Sequence, residues 1–105
     1  MKIVAVTSCP SGVAHTYMAA EALKKAAEKA GVEVKVETQG AIGIENVITA
    51  EDLANTDYVV LTKEVAIKNE ERFTGKKIVR VKIADVVKKS DSIVEKLIAH
   101  YNQNK

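Results

Sequence analysis

The sequence has one cysteine, one proline and no tryptophan in its 105 residues, and its only aromatics are three tyrosines and one phenylalanine. A single cysteine cannot form an internal disulfide, so Cys9 is either a buried apolar filler or a working thiol. With so few aromatic rings the core has to be built from Val, Ile, Leu and Ala, which favours close α/β packing. No apolar run approaches the ~20 residues that cross a bilayer. No signal-peptide pattern follows Lys2, only a short apolar strand, and the chain is therefore expected in the cytoplasm. Sixteen basic residues against fourteen acidic ones leave a net charge of +2. That is too little to point to nucleic acid, and no aromatic residues alternate with basic ones. Internal repeats, low-complexity stretches and linkers are also missing. What remains is a mix of 47% hydrophobic and 29% charged residues, which suits a folded chain and at this length a single domain over residues 1–105. The polar tail from Asn102 to Lys105 fits a true terminus and the cut edge of a longer protein equally.

Residues 2–7, KIVAVT, form a β-branched apolar run, the pattern of a strand covered on both faces. Turn formers follow, Ser8, Cys9, Pro10, Ser11 and Gly12. From Val13 to Ala30 the period becomes helical: Met18, Ala22, Ala26 and Ala30 recur four apart, and Glu21, Lys24, Lys25, Glu28 and Lys29 fill the other face. Gly31 is placed to end that helix in a left-handed turn. Residues 32–38, VEVKVET, alternate with period two and predict a strand exposed on one face, at an edge. Residues 39–43 hold two glycines and read as a loop. A short helix is expected from Ala50 to Asn55, capped by Thr49 with Asp52 three residues on. Residues 57–62 form a third strand, residues 64–73 are charged and weakly helical, and Gly75 turns the chain into a fourth strand over residues 76–82. The tail from Ile83 is helical, interrupted at Ser90 and Asp91. This alternation predicts an α/β fold: a four-stranded parallel sheet, order 2-1-3-4, with helices on both faces in a Rossmann-like three-layer arrangement.

In open α/β sheets, ligands bind beyond the carboxyl ends of the strands. Cys9, Pro10, Ser11, Gly12, Val13, Ala14, His15 and Thr16 occupy that position after the first strand. A loop opened by Gly12 and running into a helix N-terminus aims backbone N–H groups inward, and these amides and the helix dipole favour an anion. The same field favours the thiolate, the nucleophilic form of cysteine, so one arrangement activates Cys9 and cradles a phosphate attached to it. A lone cysteine in an apolar domain is more often inert. Cys9, however, leaves a strand end into a Pro/Ser/Gly turn instead of lying on an apolar face. Gly12 shapes the turn under either reading. His15 stands between a local hydrogen bond in the first helical turn and donation to a phosphate on Cys9. Ser11 and Thr16 stand between capping the helix and touching phosphate, capping being expected of at least one. Tyr17 reads as packing and His100 as structural. Lys63, Lys68, Arg72, Lys76, Lys77, Arg80 and Lys82 read as a solvated face, some of which could guide an acidic partner. Gln39 to Gly43 should border the same crevice as the cysteine loop.

Three ordered blocks carry a resemblance. Residues 8–23, SCPSGVAHTYMAAEAL, resemble the phosphorylation-site signature of fructose-type enzyme IIB domains of the bacterial sugar phosphotransferase system. The likeness continues in residues 36–43, VETQGAIG, and 70–76, EERFTGK. Ser11 stands where the family usually has Thr, which keeps the hydroxyl. Ala41 stands where Ser is common, which removes a possible donor. The resemblance implies that Cys9 accepts a phosphoryl group from a phosphohistidine of enzyme IIA and hands it to a sugar bound by the membrane component, enzyme IIC. Residues 10–16 would then be its phosphate-binding loop. It implies a phosphotransferase domain with no metal or organic cofactor, and an association with the membrane, if any, through enzyme IIC. The oligomeric state is open, with a monomer as the default expectation. Fructose is a family label here, compatible with mannose-like and other hexose derivatives.

Rival readings lose on particular residues. A low-molecular-weight tyrosine phosphatase or a similar arsenate reductase carries C-x5-R, whereas here the sixth residue after Cys9 is His15, and the arginines, Arg72 and Arg80, lie far along the chain. Without the bidentate guanidinium the phosphatase reading weakens, and a reductase would need further cysteines. A C-x-x-C redox pair is excluded by Gly12. A loop that merely senses an anion would tolerate Cys9→Ser, whereas a carrier would not.

Overall fold

The computed structural model describes residues 1–8, 13–40, 43–63 and 66–103, with the side chains of Val13, Ala14 and His15 outside that description. Along the chain run β1 (Lys2–Thr7), α1 (Val13–Ala30), β2 (Glu33–Gly40), β3 (Gly43–Glu45), α2 (Ala50–Ala54), β4 (Tyr58–Thr62), a 3₁₀ turn (Glu70–Phe73), β5 (Ile78–Val81) and α3 (Ile83–Gln103). The sheet order is β3-β2-β1-β4-β5. β1 pairs in parallel with β2 on one side and β4 on the other, with Val4 opposite both Lys35 and Val59, and β4 pairs in parallel with β5.

Alternation along the strands divides the core between the two faces of the sheet. Ile3, Ala5, Val36 and Val60 point to one side, where Ala19, Leu23 and Ala26 of α1 and Val86, Val94 and Leu97 of α3 cover them. Val4, Val6, Val59 and Leu61 point to the other, against Ile48, Leu53 of α2, Ile67 and Phe73. The alanine stripe of α1 lets that helix approach the sheet and α3 closely. Each fully buried Leu, Ile or Val contributes roughly 1.5–3 kcal/mol. The expected layering, helices on both faces of the sheet, is what forms.

Local signals account for the boundaries. Gly31 adopts φ 73° just past α1, and the amide of Val32 reaches back to the Ala27 carbonyl at 2.8 Å, which closes the helix on its own last turn. Thr49 and Asp52 form a reciprocal capping box at the start of α2. In α3 the backbone is non-helical at Lys89 (φ −129°, ψ 29°). Next to it, the Ser90 hydroxyl donates to the Val86 carbonyl, a back-bond of the kind that bends helices. The expected interruption therefore falls one residue early and kinks the helix without ending it.

Three expectations are corrected. The sheet has five strands, not four, because Gly43–Glu45 folds back antiparallel on β2, with Thr38 opposite Glu45 and Gly40 opposite Gly43. The glycines that suggested a plain loop permit this return: Gly43 takes φ 115°, a conformation closed to most side chains. Consequently β2 is an edge strand only in its first part, and its second face is exposed at Glu33 but closed at Glu37, which is completely buried. Of the charged stretch 64–73, residues 64 and 65 lie outside the described residues; over 66–73 the helical character is the 3₁₀ turn Glu70–Phe73, entered through Asn69 at φ 60°.

Candidate functional site

The carboxyl ends of β1, β2 and β4 meet at Ser8, the last described residue before the cysteine loop. Its backbone N–H donates to Thr62 Oγ1 at 2.9 Å, and Thr62 Oγ1 donates back to the Ser8 carbonyl at 3.1 Å. The Ser8 hydroxyl donates to the Gln39 carbonyl at 3.1 Å. Ser8 is thus held from β4 on one side and from β2 on the other, in a setting where all three residues are buried. On the α1 side, Thr7 opposes Thr38 in the ladder, and its hydroxyl donates to the Thr16 carbonyl at 3.0 Å. The first turn of the helix is thereby fastened to the strand that precedes the loop.

Behind Ser8 lies a second polar layer centred on Glu37. Its carboxylate accepts from both terminal nitrogens of Arg72, at 2.8 Å and 2.6 Å, from the Ile48 amide at 2.9 Å, and from Gln39 Nε2 at 2.8 Å. Burial alone would raise its pKa. The hydrogen bonds from Arg72, Gln39 and Ile48 and the Arg72 charge outweigh that, so the carboxyl sits below its ordinary value. The Arg72 guanidinium also lies over the Phe73 ring, 4.6 Å from its centroid. Gln39 clamps the segment after β4 as well: its Nε2 donates to the Lys68 carbonyl at 3.1 Å, and its Oε1 accepts from the Lys68 amide at 2.9 Å. One hydrogen-bonded chain therefore runs from Arg72 through Glu37 and Gln39 to Ser8 and Thr62.

Of the candidate site residues, Cys9, Pro10, Ser11 and Gly12 lie outside the described residues. Val13, Ala14 and His15 form the first turn of α1, with their side chains outside the description. Thr16 is fully buried, and its Oγ1 has no hydrogen-bond partner among the described residues. A buried hydroxyl without a partner costs roughly 1–3 kcal/mol, which makes Thr16 a donor in need of an acceptor. Tyr17 does more than pack: its hydroxyl donates to Glu45 of β3 at 2.6 Å, and this bond to a carboxylate, with some burial and the Glu45 charge, raises the phenol's pKa. Gln39 borders the site, as its position at the end of β2 suggested. Ala41 and Ile42 lie outside the described residues.

The expected solvated face of basic residues is corrected at one position: Arg72 is the partner of buried Glu37. Arg80 stays exposed, where it forms a two-pronged pair with Glu70 at 3.0 Å and 2.8 Å. His100 fits its structural reading: its Nδ1 lies 2.6 Å from the Tyr58 hydroxyl. A cleft of about 380 Å³, lined by residues including Asp57, Tyr58, Lys76 and Tyr101, opens at the amino ends of β4 and β5, the opposite end of the sheet from Ser8. Thr62 and the Glu37–Arg72 pair escaped the sequence reading. A charge in an alternating strand looks solvated until its partner, 35 residues on, is brought beside it.

This geometry has close relatives. A family model described as "PTS system, Lactose/Cellobiose specific IIB subunit" matches residues 4–96. The "PTS system fructose-like EIIB component 2" of Escherichia coli (strain K12) is 66% identical over 102 residues, which cover 97% of this chain and 96% of that one. The chain belongs to the enzyme IIB family of the sugar phosphotransferase system. A longer relative, the "Fructose-like PTS system EIIBC component" of the same organism, is 43% identical over 92% of this chain and 20% of its own length. The solution structure of an enzyme IIB subunit of the phosphotransferase system from Escherichia coli K12 superposes with a TM-score of 0.91 at 38% identity. That match covers 98% of this chain and 95% of the other.

As an enzyme IIB, the chain is a phosphoryl-transfer component of the phosphotransferase system. Among the described residues no helix is long and apolar enough to cross a membrane, and no group of three or more His, Cys, Asp or Glu residues could hold a metal ion.

Proposed function

We propose that this enzyme IIB carries its phosphoryl group on Cys9, taking it from a phosphohistidine of an enzyme IIA and passing it to a sugar bound by a membrane enzyme IIC. The observation that carries the reading is the pair of described residues flanking the loop. Ser8 leaves the carboxyl end of the central strand under three hydrogen bonds, and Val13 begins an 18-residue helix. A loop between such ends faces the positive end of a helix dipole. Pro10, Ser11, Gly12, Val13, Ala14, His15 and Thr16 line the phosphate in this reading, mostly through backbone N–H groups, and the buried Thr16 hydroxyl is a ready donor.

The chemistry balances without a cofactor. The thiol first gives its proton to solvent. The thiolate then attacks phosphorus in line, so that the S–P bond forms as the P–N bond of the donor imidazole breaks and its electron pair stays on nitrogen. In the second transfer a sugar hydroxyl attacks phosphorus, the S–P pair returns to sulfur, and the hydroxyl proton leaves to a base or water. Backbone donors stabilise the phosphoryl oxygens in both steps without committing the carrier to either partner. The fused EIIBC architecture of one relative supports a membrane enzyme IIC as the acceptor's holder. The carrier itself works as a monomeric cytoplasmic domain that meets the membrane only there. The acceptor is fructose or a related hexose, as the name of the 66%-identical relative suggests.

Intact-mass measurement after incubation with phosphoenolpyruvate, enzyme I, the histidine carrier protein and a fructose-type enzyme IIA tests this. The wild type should gain one phosphoryl group that maps to Cys9, and Cys9→Ser none. Equal uptake by both proteins, or uptake by neither with several enzyme IIA donors, would refute the proposal.

A further inference from the structure

We infer that Thr62 is a positioning residue for Cys9: its single buried hydroxyl fixes the Ser8 peptide from which the nucleophile departs. The inference rests on the phosphocysteine reading and deepens it. The regular β1–β4 ladder has Val6 opposite Leu61 as its last matched pair. One step further, the Thr62 side chain takes over from the backbone, accepting from the Ser8 N–H at 2.9 Å and donating to the Ser8 carbonyl at 3.1 Å. A hydroxyl has one proton to give and two lone pairs to receive with, so it can do both at once. Valine, of the same shape, can do neither.

The position of these bonds matters more than their number. The Ser8 carbonyl belongs to the peptide unit that joins Ser8 to Cys9, and that unit is planar. Holding its oxygen from β4 constrains the direction in which residue 9 begins, and the Ser8 hydroxyl on the Gln39 carbonyl holds the same residue from β2. Thr62 is only 1% exposed, so water cannot readily replace its hydroxyl. A thiolate that must meet phosphorus in line, first on one partner and then on another, loses rate when its starting point drifts.

The test compares wild type, Thr62→Val, Thr62→Ser and Cys9→Ser, each checked for folding by circular dichroism. Two readouts are taken: single-turnover phosphoryl uptake from phosphorylated enzyme IIA, and the pH profile of Cys9 alkylation by iodoacetamide. Thr62→Val should slow uptake about tenfold or more, and Thr62→Ser should stay within about twofold of wild type. The alkylation midpoint of Thr62→Val should move to higher pH as the sulfur leaves the field of the helix terminus, with Thr62→Ser restoring it. A folded Thr62→Val with wild-type uptake and a wild-type alkylation profile overturns the inference, as does failure of Thr62→Ser to rescue. If Thr62→Val does not fold, Thr62→Ala, which is smaller than the residue it replaces, carries the same comparison. If the wild type itself takes up no phosphoryl group, the phosphocysteine reading fails on its own account. The alkylation profile needs no partner protein and still decides whether Thr62 governs the thiol.

Discussion

Glu37 shows how a single residue can read one way in the sequence and another in the fold. Placed between Val36 and Thr38 in a strand of period two, it has the look of a solvent-facing charge. In the structure it receives four hydrogen bonds, two of them from Arg72. Removing one partner of a buried pair strands the other, so Glu37→Gln should lower folding stability by about 3–5 kcal/mol at neutral pH, measured by urea denaturation. The pH dependence has a definite sign. Because the folded carboxyl is held below its ordinary value of 4.5, its contribution is complete above that pH and is lost as pH falls through the folded value. Stability of the wild type should therefore decline on acidification below about pH 4.5, and Glu37→Gln should decline less steeply over the same window. An equally steep acid limb in the variant would place the titrating group elsewhere. Cys9, by contrast, stood out in the sequence because its neighbours are turn formers. Thr62 could not, since nothing in an apolar strand ending in threonine announces which backbone the hydroxyl will meet.

Whole elements follow local rules more faithfully than single side chains do. α1 keeps the bounds its apolar period predicts, because alanines at four-residue spacing and a glycine stop leave little choice. Gly31 lies in the left-handed region with open space around its missing Cβ, so conformation alone sets the cost of a side chain there. Gly31→Ala should lose about 1–2 kcal/mol, seen as a lower urea midpoint with an unchanged slope. A loss well beyond that would mean α1 ends by another mechanism. β3 was hidden for the opposite reason. Three residues are too short to show a period, and the pairing of Gly40 with Gly43 depends on a turn that two glycines permit without demanding it. The strand order of the parallel part, β2-β1-β4-β5, was legible from the crossover rule and the family likeness. The added antiparallel strand was not.

Taken whole, and on the proposed phosphocysteine reading, the molecule separates its tasks between the two ends of the sheet. The carboxyl ends hold Ser8, Thr62 and Gln39. The amino ends hold an ion cluster in which Lys35 meets Asp52 at 2.6 Å and Lys2 lies 3.7 Å from Asp52 and 3.5 Å from Glu33. The hydrogen bond from Lys35, followed by that from the Thr49 amide, keeps the Asp52 carboxyl well below its usual range. Lys35→Met should lower thermal stability slightly and leave the rate of phosphoryl uptake unchanged, whereas Thr62→Val should slow uptake. Uptake measured beside thermal denaturation decides the matter, and a slow but fully stable Lys35→Met would refute the separation.

The short return strand β3 has one more consequence. An open β-sheet offers its outermost strand as a template on which another chain can add, the first step toward aggregation. β3 covers only Thr38, Gln39 and Gly40 of β2, and the earlier stretch carries Glu33, Lys35 and the inward charge of Glu37 at alternate positions. A second copy laid along that stretch would have to accommodate these charges, including one already committed to Arg72. The same buried carboxylate that braces the site from within thus helps keep crowded copies of the protein from joining edge to edge.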